Sequence, residues 1–214
     1  MKLVIAEREI PSPHTVIATY VRCHARTVRE YDGLAGTISA VDLSAIRASR
    51  VISSRISNAE GERLIALFAS LEWGDIPPGA SLKDADAAVA EGLYDAASRN
   101  YKSVLDQAGK GVSHAKVSKL FYLIRPSLFP VLDSRVRYLY RARASEAAKA
   151  VAAVREDYPF TRDYWQAIRA DLLENSAAFD QLQSELENDS DPEVVSLTGN
   201  LTPLRLMDIL TWTR

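Results

Sequence analysis

Asp133 is the only carboxylate in a strongly basic segment that runs from Lys110 to Arg143. This segment holds eight Lys or Arg residues and one acidic residue, a net charge of +7, whereas the other 18 basic and 27 acidic residues give the rest of the chain −9. A local positive field attracts polyanions even when the protein as a whole is weakly charged, and phosphate backbones are the commonest polyanions in a cell. The pattern therefore predicts a phosphate-binding surface with one carboxylate inside it.

Two roles for Asp133 are compatible with its position. The run that begins at Asp133 continues with the apolar residues Val136, Leu139 and Tyr140 at helical spacing, so the carboxylate can cap the N-terminus of a helix. Alternatively, it faces the ligand that the surrounding cations bind. A cap alone would make Asp133 structural, whereas the second role would make it functional.

Composition places the chain among ordinary globular proteins. Its 214 residues are 47% hydrophobic and 25% charged, which suits one domain with a real core. No apolar run approaches the roughly 18 residues that a membrane span needs. The first 13 residues carry charges where a signal peptide would be apolar, which predicts a cytoplasmic protein.

Three scattered histidines without HExxH or CxxC spacing predict no metal site, and no cofactor is expected.

Helical periodicity dominates the chain, and neither a strand pattern nor a repeat is recognisable. The prediction is an all-α protein of about ten helices with the approximate bounds 13–29, 42–56, 58–71, 84–108, 115–124, 133–140, 145–156, 160–174, 177–187 and 203–212. We expect one unit over 1–214 in two interleaved subdomains. It comprises an N-terminal helical part (12–108), a hairpin with a following loop (109–143) and C-terminal helices (145–213).

The middle of the chain combines a helix, a glycine-containing hairpin, a second helix and an extended connector that ends in aspartate. The matching stretches are Gly111-Val112-Ser113 for the hairpin, Lys116 to Lys119 for the start of its second helix, and Phe129 to Asp133 for the connector. This arrangement resembles the helix-hairpin-helix DNA glycosylase superfamily. The resemblance implies a glycosylase-like helical bundle that binds double-stranded DNA, flips one nucleotide out and cleaves its N-glycosidic bond.

Two further resemblances come from other parts of the chain. Asp208 and Trp212, four residues apart on the last predicted helix, resemble the base-pocket pair of the archaeal 8-oxoguanine glycosylase branch. The residues 31–36, the helix capped by Asp42, and the stretches 118–120, 125–126 and 130–134 are similar to a bacterial family, DUF6308. The DUF6308 resemblance covers most of the first 140 residues and is closer than the glycosylase resemblance. It implies no established activity.

The glycosylase resemblance implies a role for each candidate site residue. Asp133 would stabilise the oxocarbenium-like sugar and orient the nucleophile. Lys116 and Lys119 are alternative nucleophiles for a Schiff base, which would add AP lyase activity. The base pocket would comprise Asp208, Trp212, Tyr122, Tyr31 and Asp32. The DNA backbone would be bound by Lys110, Gly111, Val112, Ser113, His114, Arg135 and Arg137.

These roles lead to three hypotheses. The leading one is a DNA glycosylase, a monomer that excises an oxidised purine in DNA repair or a modified base of foreign DNA in anti-phage defence. A non-catalytic helix-hairpin-helix DNA-binding protein is the second, and a protein-interaction scaffold with a basic face is the third. An enzyme needs Asp133 in a concave pocket with Asp208, Trp212 and a lysine, whereas a binding protein can leave it as a cap on a flat surface.

Overall fold

The computed structural model describes residues 3–212, so residues 1, 2, 213 and 214 of the predicted unit 1–214 lie outside the described range. The described chain is predominantly helical, which confirms the all-α prediction. Its helices are α1 (Pro13–Cys23), α2 (Ala25–Thr27), α3 (Leu43–Val51), α4 (Asn58–Ala69), α5 (Leu93–Gln107), α6 (His114–Ile124), α7 (Ser134–Leu139), α8 (Arg141–Ala152), α9 (Tyr164–Glu174), α10 (Ser176–Glu187), α11 (Pro192–Thr198) and α12 (Pro203–Trp212).

A short antiparallel hairpin precedes the helices, where no strand was predicted. Its strands are β1 (Val4–Ile5) and β2 (Arg8–Glu9). The hairpin is held by the end of α9, because the Asn175 side chain accepts from the Val4 amide at 3.0 Å and donates to the Val4 carbonyl at 2.8 Å. Two-residue strands are too short to show the alternation from which a strand is recognised in a sequence.

The first predicted helix is divided into three pieces. It ends at Cys23 rather than near residue 29, α2 follows, and Val28–Asp32 forms a π-helical turn closed by the Gly33 amide bonding to the Val28 carbonyl at 2.8 Å. A π turn inserts one residue and changes which side chains face inward. Tyr31 and Asp32 are consequently buried, at 0% and 1% exposure.

The predicted helix 84–108 is wrong in its first part, residues 84–92. Leu82–Asp84 is a 3₁₀ turn and α5 begins only at Leu93, so Val89, which falls within the predicted helix, is not helical and is 57% exposed. The Asp86 carboxylate accepts from the Ala88 amide at 2.9 Å. Aspartate side chains that bond to nearby amides compete in this way with the helical ladder.

The helix α11 is absent from the predicted elements. Pro192 begins this helix and Asp191 caps it, where the sequence predicts only a loop.

The central helix is α6, in which every residue from 117 to 124 is buried. Gly109 and Gly111 precede it with φ of 79° and 96°, which glycine adopts without the strain that a Cβ would bring.

The predicted Asp133 cap of α7 is confirmed, since the Val136 amide donates to Asp133 Oδ1 at 2.8 Å. The first helix, α1, packs against α10, α11 and α12, so helices from the two ends of the described chain lie in contact.

Candidate functional site

A cavity of about 480 Å³ brings together five of the predicted site residues. They lie on the central helix α6, at the start of α7 and on the last helix α12, and they are Lys119, Asp133, Arg135, Asp208 and Trp212. A cavity of this size falls in the range of small-molecule sites. The site is therefore concave, and Asp133 belongs to its wall.

Both oxygens of Asp133 have a donor. Oδ1 accepts from the Val136 amide, and Oδ2 accepts from the Trp212 indole Nε1 at 2.7 Å. The cap and the cavity residue are thus the same carboxylate, and the two roles considered for Asp133 are compatible. The Trp212 side chain is 48% exposed, so its ring stands at the open side of the cavity and fixes the carboxylate from there.

Lys119 is the lysine that reaches the cavity. It is 8% exposed, and its Nζ donates to the Ile52 carbonyl at 2.7 Å. Burial lowers the pKa of its ammonium, although the nearby carboxylates of Asp133 and Asp208 act in the opposite direction. A depressed lysine pKa increases the fraction of neutral amine, which is the nucleophilic form.

Lys116 does not reach the cavity. Its Nζ forms an ion pair with Glu60 Oε1 at 2.7 Å, and both side chains are about 15% exposed. This pair connects α6 to the first turn of α4, where Glu60 also completes the capping box with Ser57. The position of Lys116 therefore favours a structural role, and it separates the two lysines that the sequence leaves equivalent.

Arg205 lies between two acidic residues at the floor of the cavity. It is 5% exposed, and its Nε donates to Asp32 Oδ1 at 2.8 Å while Nη1 donates to Asp208 Oδ2. Burial raises the pKa of the Asp208 carboxyl to about 6, against the opposing effect of the Arg205 charge. The cavity thus contains a carboxyl whose charge changes near neutral pH.

Three residues assigned to the base pocket lie beneath the cavity instead of lining it. Tyr31 donates from its hydroxyl to the Lys119 carbonyl at 2.8 Å, and Tyr122 donates to Asp32 Oδ1 at 3.0 Å. The two rings stack at 5.3 Å, and the Arg205 guanidinium lies 5.6 Å and 5.5 Å from their centres. Tyr31, Asp32 and Tyr122 therefore position Lys119 and Arg205. The π turn directs Tyr31 and Asp32 into the core, and Tyr122 lies on the buried part of α6.

The cavity also has walls that the sequence did not indicate. Tyr20 and His24 contribute from the end of α1, and Ile52 and Ser53 contribute from the loop after α3. Ser53 has φ of 59°, in the left-handed region that few residues other than glycine adopt. Periodicity alone does not reveal the break of the first helix near His24, so these residues are not among the predicted site residues.

The hairpin residues lie apart from this cavity. Ser113 precedes α6 without a side-chain capping bond, so it leaves the first amides of that helix uncapped. Lys110 and Gly111 are exposed, and Val112 is half-buried. His114 and Arg137, both predicted to bind the backbone, line a second cavity and not the one that contains Asp133.

A family model described as a family of unknown function (DUF6308) matches residues 15–214. The chain belongs to the DUF6308 family. The match extends well beyond the first 140 residues and includes α12, so all five cavity residues of this DUF6308 protein lie within it. Neither the curated proteins nor the solved structures give a match. No comparison links the DUF6308 chain to the helix-hairpin-helix glycosylase superfamily, and that resemblance stays a prediction.

Two classes of feature are absent from the part of the DUF6308 chain that the structure describes. Within residues 3–212, no group of three or more His, Cys, Asp or Glu side chains is arranged to hold a metal ion. In the same range, no helix has both the length and the apolar character that a bilayer crossing requires.

Asp208 makes the stability of the protein depend on pH. Its folded-state pKa of about 6 lies above the ordinary value of 3.8, so the folded state binds more protons between these values and stability falls as pH rises through this window. Asp208→Asn should therefore gain stability relative to wild type between pH 4 and 6, by up to about 3 kcal/mol, and then stay level. Urea unfolding of both proteins at several pH values measures this, and a pH-independent difference would contradict it.

Proposed function

We propose that this DUF6308 protein is a DNA glycosylase that excises a damaged or modified base from double-stranded DNA. The observation that carries the proposal is the position of Asp133 in a cavity that also contains Lys119, Asp208 and Trp212. This is the concave arrangement that an enzyme needs and that a structural cap on a flat surface would lack. Release of a free base from duplex DNA with one modified nucleotide is the activity that tests it.

The cavity residues supply the groups that base excision requires. A flipped base stacks on the indole of Trp212, and the Asp208 carboxylate accepts from donors on the edge of that base. Asp133 faces the sugar, where a carboxylate stabilises positive charge as the N-glycosidic bond breaks. A water molecule or an amine then completes the reaction at the anomeric carbon. The proton needed by the leaving base comes from solvent or from the protonated form of Asp208.

The basic segment supplies the affinity for the DNA backbone. Arg135 lies at the cavity, while Lys110 and the uncapped amides at the start of α6 lie at the hairpin. Helix N-termini and lysines bind phosphate without reading base sequence. The proposal places double-stranded DNA across this segment in the cytoplasm, with an oxidised purine or a modified base of foreign DNA in the cavity.

Lys119 is the candidate nucleophile for a lyase step. If it forms a Schiff base with the sugar, borohydride reduction should trap a covalent adduct between the wild-type protein and DNA. Lys119→Gln should lose this adduct by at least about 100-fold, because Lys119 lies in the cavity and burial lowers the pKa of its ammonium. Denaturing gel electrophoresis after reduction measures the adduct.

Lys116→Gln is the matched control for this experiment, since it removes a lysine one turn away on the same helix that pairs with Glu60. Trapping should persist in this variant. Loss of the adduct in Lys116→Gln with full retention in Lys119→Gln would reverse the assignment. Base release without any adduct in the wild type would identify a glycosylase that uses water.

A non-catalytic DNA-binding protein is the second candidate. It is favoured by the hydrogen bonds of Asp133, because the Val136 amide and the Trp212 indole already occupy both oxygens. In that case the carboxylate would join α7 to α12, and the hairpin would only bind phosphate. Strongly salt-dependent DNA binding without base release from any modified substrate would favour this candidate.

A further inference from the structure

A second cavity, of about 430 Å³, shares the segment 131–137 with the first. Val131 and Asp133 line the first cavity, whereas Leu132 and Arg137 line the second. His114, at the N-terminus of α6, also belongs to the second cavity and connects it to the hairpin. A ligand bound at the hairpin therefore has access to two adjacent cavities.

Aromatic rings form the wall of the second cavity. Trp165 meets the ring of Tyr94 edge-on at 5.9 Å and the ring of Tyr101 edge-on at 5.2 Å. Tyr164 is half-buried, and Phe160 is exposed at the edge of the cavity. The buried rings keep the wall in place before a ligand arrives, and the more accessible rings of Tyr164 and Phe160 are the ones that can stack on a planar ligand.

Positive charge surrounds this aromatic wall. Lys102, Arg137 and Arg162 are exposed lining residues, and none of them forms an ion pair with another residue in 3–212. The Arg137 guanidinium lies 5.5 Å from the centre of the Tyr164 ring. A cation beside a stacking surface is well placed to bind the phosphate attached to a stacked base.

The acidic residues of the second cavity do not offset this charge. Asp163 is buried, and its Oδ2 accepts from the Tyr94 and Tyr158 hydroxyls while Oδ1 accepts from the Gln166 amide at 3.0 Å. Its oxygens are thus already bonded within the protein. Only the exposed Asp106 opposes the three cations, so the cavity attracts an anion rather than a cationic ligand.

We propose that the second cavity binds a nucleotide, with the base against Tyr164 and its neighbouring rings and the phosphate at Arg137, Arg162 and Lys102. The nucleotide is either free in solution or an unpaired nucleotide of a DNA strand that lies along the hairpin. This site goes beyond base excision, because nucleotide binding at Tyr164 requires neither Asp133 nor Lys119.

Three histidines make the two cavities distinguishable in one experiment. His114 lines the second cavity, His24 lines the first, and His14 pairs with Asp189 at 2.9 Å apart from both. Histidine side-chain ¹H–¹⁵N spectra of the full chain can be titrated with 2′-deoxyguanosine 5′-monophosphate and with a single-stranded 12-mer. We expect saturable shifts at His114, with His14 unchanged. Each histidine is assigned by its own His→Gln variant.

Two substitutions test the contacts that the proposal names. Arg162→Ala removes one exposed cation and should weaken the binding that shifts His114 by about 5-fold. Tyr164→Ala removes the stacking ring and should weaken it by about 10-fold. Lys149→Ala is the matched control, because Lys149 is an exposed cation that lines neither cavity, and its binding should equal that of wild type.

Each outcome has one meaning. Shifts of His114 with the mononucleotide identify a free nucleotide as ligand, and shifts with the 12-mer alone identify an unpaired nucleotide of a strand. Shifts of His24 alone would overturn the second site while leaving the proposed excision site intact. Absence of a His114 shift with both probes would also overturn the second site. The same holds if Arg162→Ala and Tyr164→Ala both bind the probe with the affinity of wild type. Shifts of His114 in a protein that releases no base would support the second site and contradict the glycosylase.

Discussion

Asp133→Asn should lower base release by about 10³-fold and leave DNA affinity close to that of wild type. The loss is expected because a neutral amide cannot stabilise the positive sugar or accept a proton, and such groups contribute about 10² to 10⁴ in rate. The fold should be retained, since asparagine caps helices as well as aspartate does. Its oxygen can still accept from the Val136 amide, as Oδ1 of Asp133 does.

Asp42→Asn is a matched control for this substitution. Asp42 caps α3 and accepts from the Ala45 amide at 2.9 Å, but it lies outside the cavity. Single-turnover release of base from modified duplex DNA should be normal in this variant. Fluorescence anisotropy with the same duplex measures the affinity of all three proteins. Full turnover in Asp133→Asn would exclude the carboxylate from the chemistry.

Arg205→Met should destabilise the protein by about 3–5 kcal/mol at neutral pH. Arg205 is the counter-ion of both Asp32 and Asp208, and removing one partner of a buried ionic group leaves the other charges uncompensated. The loss should be smaller at acid pH, where protonation of Asp208 removes one of the unpaired charges. Base release should also fall, because Asp208 and the layer of Tyr31 and Tyr122 depend on this arginine for their positions.

Urea unfolding at neutral and acid pH measures this effect, with Arg29→Met as control. Arg29 pairs with Glu193 on the exposed surface, where ion pairs contribute little to stability. Arg205→Met combined with Asp32→Asn should recover part of the lost stability, since the double variant removes one of the two unpaired charges. Equal stability of Arg205→Met and wild type would contradict the role of Arg205 in holding the cavity floor.

Local signals in the sequence were sufficient for the elements that carry the site. The glycines before α6, the aspartate that caps α7 and the proline that begins α12 each act within a few residues, so their structural effect can be predicted without the fold. The spacing of Asp208 and Trp212 on one helix also predicts that they face the same way.

The partners of the site residues could not be predicted in the same way. Arg205 and Asp32 are 173 positions apart, and only the packing of α12 against the N-terminal helices brings them together. Asp32 and Tyr31 were expected in the pocket, but the π turn places them beneath it. Lys116 and Lys119 lie on one helix with similar neighbours in sequence, and only the fold pairs the first with Glu60 and places the second in the cavity.

The most direct test of the glycosylase proposal is mass spectrometry of the bases released from a panel of oxidised, alkylated and phage-modified duplex DNAs. The wild-type protein is incubated with each DNA beside Asp133→Asn, and the free bases are quantified. We predict release of at least one modified base by the wild type and its near absence with Asp133→Asn. No base released from any DNA that the protein binds, or equal release by both proteins, would contradict the proposal.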